Sequence, residues 1–168
     1  SFRYYAVGGP GLHSALETVG QPAETAVDYV VIGEGEGIDY AAITRGIYLL
    51  REGAMLVSTN PDASVDHDNG LLPGGGALVA PFAIASGCTP VTVGKPFPLL
   101  YEMAMETLNS EAEHCIMVGD RPDTDIAGAV RLGLRTALVR TGRFQPGESW
   151  PDGMPLPTWD VNDLDSLL

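Results

Sequence analysis

Short apolar runs alternate with amphipathic stretches from one end of the chain to the other. Residues 3–7 read as a strand, followed by Gly8-Gly9-Pro10-Gly11 and a helix over residues 12–19. Residues 27–32 form a second apolar run. A Gly/Glu alternation over 33–37 leads into a helix over 38–51, with Ile43, Ile47 and Leu50 along one stripe. Residues 54–57 read as a third strand ending at Thr59-Asn60-Pro61-Asp62. A polar loop over 63–70 then precedes Pro73-Gly74-Gly75-Gly76 and a helix over 77–85. Residues 91–93 form a strand leading to Lys95, and Pro98 opens a helix whose apolar side is Leu99, Met103 and Leu108. Residues 136–139 are another buried strand, and 142–159 an irregular Pro- and Gly-rich segment with Trp150 and Trp159. Asn162 is positioned to cap a short last helix carrying Leu164 and Leu167. Strands alternating with helices predict an α/β fold with mostly parallel pairing.

The most informative stretch is residues 114–126. Cys115, Ile116, Met117 and Val118 form a nearly continuous apolar run, the pattern of a strand buried on both faces. Gly119 ends it and Asp120 stands where the strand opens into a loop. Pro122 fixes a turn, Asp123 or Thr124 can cap, and a helix follows with Ile126, Ala129 and Val130 on one face. Ligands of parallel α/β sheets bind at the carboxyl ends of strands. Asp120 and Asp125 therefore arrive together at such a place, where hard oxygen ligands suit Mg²⁺ and phosphate chemistry.

Composition changes the picture at three points. Of nine Lys plus Arg residues only one is lysine, Lys95, set between Gly94 and Pro96 after an apolar run. That position reads as one needing a compact ammonium, against the plain alternative of an accidental lysine. The formal net charge of −13 argues against nucleic acid and anionic membrane surfaces as partners. No apolar run is long enough to cross a bilayer, and no signal-like segment opens the sequence. Cys88 and Cys115 lie in or beside apolar segments and read as reduced core residues, so the expected location is the cytoplasm.

Gly94-Lys95-Pro96, followed by Gly119-Asp120-Arg121 and Thr124-Asp125-Ile126, resembles motifs three and four of the haloacid dehalogenase superfamily. Thr59-Asn60-Pro61-Asp62 and Pro73-Gly74-Gly75-Gly76 are similar, in order and spacing, to its NagD-like, nitrophenylphosphatase and phosphoglycolate-phosphatase branch. The resemblance covers nearly the whole chain. It implies a larger α/β cap over residues 1–89 and the C-terminal half of a Rossmann-like parallel core over 90–168. It also implies an Mg²⁺-dependent phosphatase of small phosphorylated metabolites working through an aspartyl-phosphate. Asp120 would be the metal ligand, Asp125 would hold Lys95 or a metal-bound water, and Lys95 would neutralise the nucleophile and the transferring phosphoryl group. For Asp125 a helix N-terminal acid, worth under about 1 kcal/mol through the dipole, stays open as an alternative.

The family's nucleophile lies in Asp-x-Asp-Gly, which does not occur in these rows; Asp66-His67-Asp68-Asn69-Gly70 comes nearest but follows no core strand. The resemblance therefore places that motif upstream of Ser1. The chain alone should then be inactive, with the strand over 116–118 left as an apolar sheet edge that an N-terminal core segment or a second copy would cover. In the cap, Asn60 and Asp62 would border a specificity loop over 63–69, with His67 facing the leaving group. His13 and His114 fall beside core segments and read as structural. Gly33-x-Gly35-x-Gly37 is a poor phosphate cradle because Glu34 and Glu36 would repel an anion. A calcium loop from Asp66 fails because its twelfth position is Ala77. A non-catalytic binding or regulatory module that retains the acidic site is the other class of function.

Overall fold

The computed structural model describes residues 1–68 and 70–167. They form two compact units, Ser1–Gly94 and Lys95–Leu168, both mixed α/β with parallel sheets. The division falls beyond the expected 89/90 boundary because the strand after residue 90 is hydrogen-bonded into the first unit's sheet. Among the described residues, no helix is long and apolar enough to cross a membrane.

In the first unit, β1 (Phe2–Val7), α1 (Pro10–Glu17), β2 (Gly20–Pro22), β3 (Tyr29–Ile32), α2 (Tyr40–Arg51) and β4 (Met55–Ser58) follow in order. A hairpin of β5 (Ser64–His67) and β6 (Gly70–Pro73), then α3 (Gly75–Ser86) and β7 (Val91–Thr92), complete it. The five-stranded sheet has the order β2-β1-β3-β4-β7, with every pairing parallel. Val30, Ile32, Leu49, Leu50, Leu56, Val79 and Phe82 fill the core between sheet and helices. Asp39 starts α2 by accepting the Ala42 N–H at 2.8 Å. Gly46 lets α2 approach α3, since a Cβ there would meet the Phe82 ring at 2.5 Å. The buried residues of α2 are Gly46, Leu49 and Leu50; of the stripe read off the sequence, Leu50 is among them and Ile43 packs, partly buried, against the same core.

Two elements here escape the apolar pattern. The edge strand β2, Gly-Gln-Pro, has no hydrophobic alternation and forms by pairing with β1. Residues 64–67 and 70–73, expected as a polar loop up to Gly70, pair as the β5–β6 hairpin instead; Asn69 lies outside the described residues.

The second unit carries α4 (Leu99–Leu108), β8 (Ile116–Gly119), a wide π-type turn over Pro122–Ile126, α5 (Ala127–Arg131), β9 (Arg135–Val139) and β10 (Trp159–Val161). Its sheet has the parallel order β10-β9-β8. Ile126, Leu138 and Phe144 form its core, with Val130 and Trp150 against them. The segment over 142–159 is irregular as expected except at its end, where Trp159 opens β10 by pairing with β9, and it is fixed by Arg140. Its guanidinium pairs with both Asp160 carboxylate oxygens at 2.7 and 2.8 Å, donates to the Gln145 and Glu148 carbonyls, and stacks on Phe144.

The sequence pattern is overturned at three points in this unit. β8 lies at the sheet edge, as the expectation of an uncovered apolar edge over 116–118 has it, and with Ile116 and Val118 47% and 39% exposed the strand is not buried on both faces. Leu99, Met103 and Leu108 of α4 are exposed, and the residue this helix buries is Tyr101. The last helix is a single 3-10 turn, Asp165–Leu167, with Asp163 rather than Asn162 accepting the Ser166 N–H.

Candidate active site

The carboxyl end of β8 is organised by Asp125. Its carboxylate is buried, 4% exposed, and both oxygens are used. Oδ1 accepts from Lys95 Nζ at 2.7 Å; Oδ2 accepts the backbone N–H groups of Asp120 and Arg121, each at 3.1 Å. Gly119 makes this possible, because a Cβ at that position would overlap the Asp125 carboxylate. The structure thus brings Lys95, Asp120 and Asp125 together. One of three ammonium donors of Lys95 is committed to Asp125, and its side chain is 43% exposed, so the charge is oriented yet reachable.

Asp120 is half-buried and held from the opposite side. Its Oδ2 accepts the Arg143 N–H at 2.6 Å, and Gly142 leaves room for it, since any side chain there would overlap that oxygen. Its carbonyl accepts the Phe144 N–H. Oδ1 accepts no hydrogen bond among the described residues, so one hard oxygen is presented at the strand end. No group of three or more His, Cys, Asp or Glu side chains able to hold a metal occurs among the described residues. By itself Asp120 suits Mg²⁺ only as one carboxylate of an octahedral shell, whose other positions would come from water, phosphate or further protein oxygens.

Three supports of this site have no signal in the sequence reading. From α4, the Tyr101 hydroxyl donates to the Thr124 carbonyl at 2.7 Å and approaches the Asp125 carbonyl at 3.3 Å, pinning the π-type turn. Burial, with the Asp125 charge as a second cause, pushes its pKa up to about 12. Gly128 admits this hydroxyl and the Pro96 backbone, both of which a Cβ would strike. The rule that sites gather at strand ends would have flagged Gly142 and Arg143, just past β9; nothing would have flagged Tyr101. Arg121 donates from Nη2 to Asp123 at 3.0 Å. Burial opposes the Asp123 charge, but Arg121 outweighs it and holds that carboxyl below its ordinary range. Asp123 and Thr124 make no side-chain cap; the turn is held through Asp125 and Tyr101 instead.

In the first unit the carboxyl ends of β1, β3 and β4 face the same way, and their loops interlock. Asn60 Oδ1 accepts the N–H groups of Asp62 and Gly75 at 3.0 and 3.1 Å, so it ties the strand end to the start of α3. This explains the glycine run: Cβ atoms at Gly74 and Gly76 would strike the Asp62 and Pro61 backbones. Asn60 Nδ2 donates to Glu34 Oε1 at 2.7 Å. Asp62 is half-buried beside Asn60. His67 is exposed at the end of β5, opposite Gly70 in the hairpin register. Asn60 and Asp62 are thus adjacent. Glu34, set aside in the sequence reading as an anion-repelling residue, turns out to be bonded to Asn60. His114 is exposed rather than structural, 3.4 Å from Glu113.

A family model described as HAD-hydrolase-like matches residues 92–167. The chain is 36% identical over 166 residues to an acid sugar phosphatase of Staphylococcus aureus, covering 98% of this chain and 64% of that protein. It superimposes on the crystal structure of a putative p-nitrophenyl phosphatase from Bacillus subtilis with a TM-score of 0.87 and 32% identity, covering 99% of this chain and 62% of that one. NagD from E. coli K-12 gives a TM-score of 0.82 at 30% identity, covering 96% and 64% respectively. The chain therefore spans somewhat less than two thirds of the length of these relatives.

Proposed function

The chain belongs to the haloacid dehalogenase superfamily, in its NagD-like branch, and on that premise we propose that the protein is an Mg²⁺-dependent phosphatase of small phosphorylated metabolites. The observation that carries the reading is the Asp125 carboxylate, which orients Lys95 with one oxygen and the Asp120 loop with the other. Bound Mg²⁺ would neutralise charge on the phosphoryl oxygens and orient them. Asp120 would hold it through Oδ1. Lys95 would direct its remaining ammonium donors at the transferring phosphoryl group, an electrostatic role fixed in place before the reaction. Asp125 keeps that ammonium aimed.

The reaction proceeds through an aspartyl-phosphate in this proposal. None of the three residues is the nucleophile, because each is committed to metal, ammonium or backbone. The Asp-x-Asp-Gly motif absent from the sequence would supply it from outside this chain, leaving the 168 residues inactive by themselves. The first unit acts as the cap and the second as the C-terminal half of the core. Asn60, Asp62 and His67 are the substrate-binding residues of the cap in this reading. The name of the Staphylococcus aureus relative favours a sugar phosphate among small metabolites, and the free Cys88 and Cys115 support the cytoplasm as the proposed location.

The test is p-nitrophenyl phosphate turnover by the full-length protein with and without Mg²⁺, beside Asp120→Asn. Metal-dependent turnover that falls by about 10²-fold or more in the variant is expected, as for loss of a group acting mainly in the transition state. Failure of the unaltered protein to hydrolyse any phosphate ester would instead favour the non-catalytic module.

A further inference from the structure

We infer that Arg140 is a positioning residue for Asp120: by clamping the loop after β9 from behind, it aims that loop's N–H groups at the carboxylate and so sets the affinity for Mg²⁺. The inference rests on the phosphatase reading above, in which Asp120 holds the metal, and adds the group that orients it. All of the residues involved lie in the second unit.

The loop is gripped on two sides. On one side its N–H groups turn to the end of β8. The Arg143 N–H donates to Asp120 Oδ2 at 2.6 Å, and the Phe144 N–H donates to the Asp120 carbonyl at 3.2 Å. On the other side its carbonyls turn to Arg140, whose Nη1 donates to Gln145 at 2.9 Å and to Glu148 at 3.2 Å. The two grips fall on adjacent residues, Phe144 and Gln145, so little slack lies between them. Phe144 takes part in both, since its ring lies under the Arg140 guanidinium at 4.7 Å while its N–H serves Asp120. Gln145 and Glu148 also close on each other. The Gln145 N–H donates to Glu148 Oε1 and the Glu148 N–H to the Gln145 carbonyl, each at 3.2 Å, so Arg140 pulls on a closed turn.

Arg140 can act as an anchor because it is itself fixed. Its own N–H donates to the Val161 carbonyl at 3.1 Å, and Asp160 takes Nε and Nη2 on its two oxygens at 2.7 and 2.8 Å. The side chain is only 16% exposed. A surface ion pair contributes little and leaves most guanidinium donors to water. Here four hydrogen bonds leave a group with five donors, and two of them go to carbonyls that an ion pair would not need. A lysine has one nitrogen and no plane. It cannot span both Asp160 oxygens, reach both carbonyls and lie flat on Phe144. Strand ends β8, β9 and β10 thus converge on one carboxylate, with Arg140 as the joint.

Calorimetric titration of the full-length protein with Mg²⁺, beside thermal unfolding of each variant, tests this. Arg140→Lys should weaken Mg²⁺ binding about tenfold, the size expected when the support of a metal ligand is lost. Asp160→Asn, which leaves Arg140 a single acceptor oxygen, should weaken it at least threefold. Thr158→Val is the control. Thr158 and Thr136 each accept the other's backbone N–H, at 3.1 and 3.2 Å, outside that loop. Its loss should lower Tm and leave Mg²⁺ affinity within twofold. With p-nitrophenyl phosphate, the Mg²⁺ concentration giving half-maximal rate should rise in Arg140→Lys in step with Kd, while kcat at saturating Mg²⁺ stays within threefold. Arg140→Lys binding Mg²⁺ within twofold of the unaltered protein would overturn this inference alone. So would Thr158→Val weakening binding as much as Arg140→Lys, because the effect would then be general destabilisation. Absence of Mg²⁺ binding by the unaltered protein would overturn the metal assignment and this inference with it. Should Arg140→Lys fail to fold, Asp160→Asn decides.

Discussion

Gly142 stands against Asp120 so closely that position 142 has no room for a side chain: a Cβ there would overlap the Oδ2 that the Arg143 N–H holds. The loop after β9 thus fixes the rotamer of a carboxylate at the end of β8. Neighbouring strand ends of one parallel sheet cooperate in a way neither loop could alone.

Gly142→Ala should therefore disturb metal binding more than folding. Overpacking costs about 1–3 kcal/mol where the backbone must shift. Misplacing a ligand's support costs roughly 10–100-fold in metal affinity. Mg²⁺ titration calorimetry of the full-length variant, beside its thermal unfolding, checks this. Unaltered affinity would show that Asp120 needs no such support.

Lys95→Arg should behave as a disruptive substitution. The ammonium donates one hydrogen to Asp125 Oδ1 at 2.7 Å and has two left for a ligand, whereas a planar guanidinium is longer and cannot share its donors in that geometry. A fall in kcat of about 10²–10³-fold is expected for loss of such a stabilising donor. Steady-state kinetics of the full-length enzyme decide it; a variant keeping most of its kcat removes Lys95 from the mechanism.

Asp125→Asn leaves one acceptor where two are needed. Its amide nitrogen must face either the Lys95 ammonium or the N–H groups of Asp120 and Arg121, donor against donor. The expected destabilisation is about 1–3 kcal/mol, held down because Lys95 can be hydrated. Urea unfolding measures it. If Asp125 were only a helix N-terminal acid, the loss would stay under about 1 kcal/mol.

Tyr101 predicts a pH dependence with a definite sign. Its hydroxyl donates to the Thr124 carbonyl only when protonated, and its pKa is raised from 10.0 to about 12. A raised pKa contributes stability that is complete below the unfolded value and is lost as pH rises through the folded one. Stability should therefore drop across pH 10 to 12, and Tyr101→Phe, costing about 1 kcal/mol at neutral pH, should flatten this drop. Unfolding free energies of both proteins across that range test it.

The order of strands and helices was legible because local patterns carry it. Apolar runs read at 27–32, 54–57 and 136–139 became the parallel strands β3, β4 and β9. Lys95, Asp120 and Asp125 could also be picked out, because a lone lysine and two acids at strand ends stand out in one dimension. Which faces are buried was another matter. The run at Ile116 to Val118 fixes a strand but not its neighbours, and α4 buries Tyr101 rather than its leucines because burial depends on what lies opposite. The same holds for the supports of the site. Gly142 against Asp120, Tyr101 on Thr124 and Glu34 on Asn60 join residues 22 to 26 apart or nearby in space through loops that carry no periodicity. Sequence alone determined which residues carry charge and which segments become elements, since both are local properties. Only the tertiary structure decided which oxygen meets which donor, because those contacts exist only once strand ends from separate parts of the chain are brought side by side.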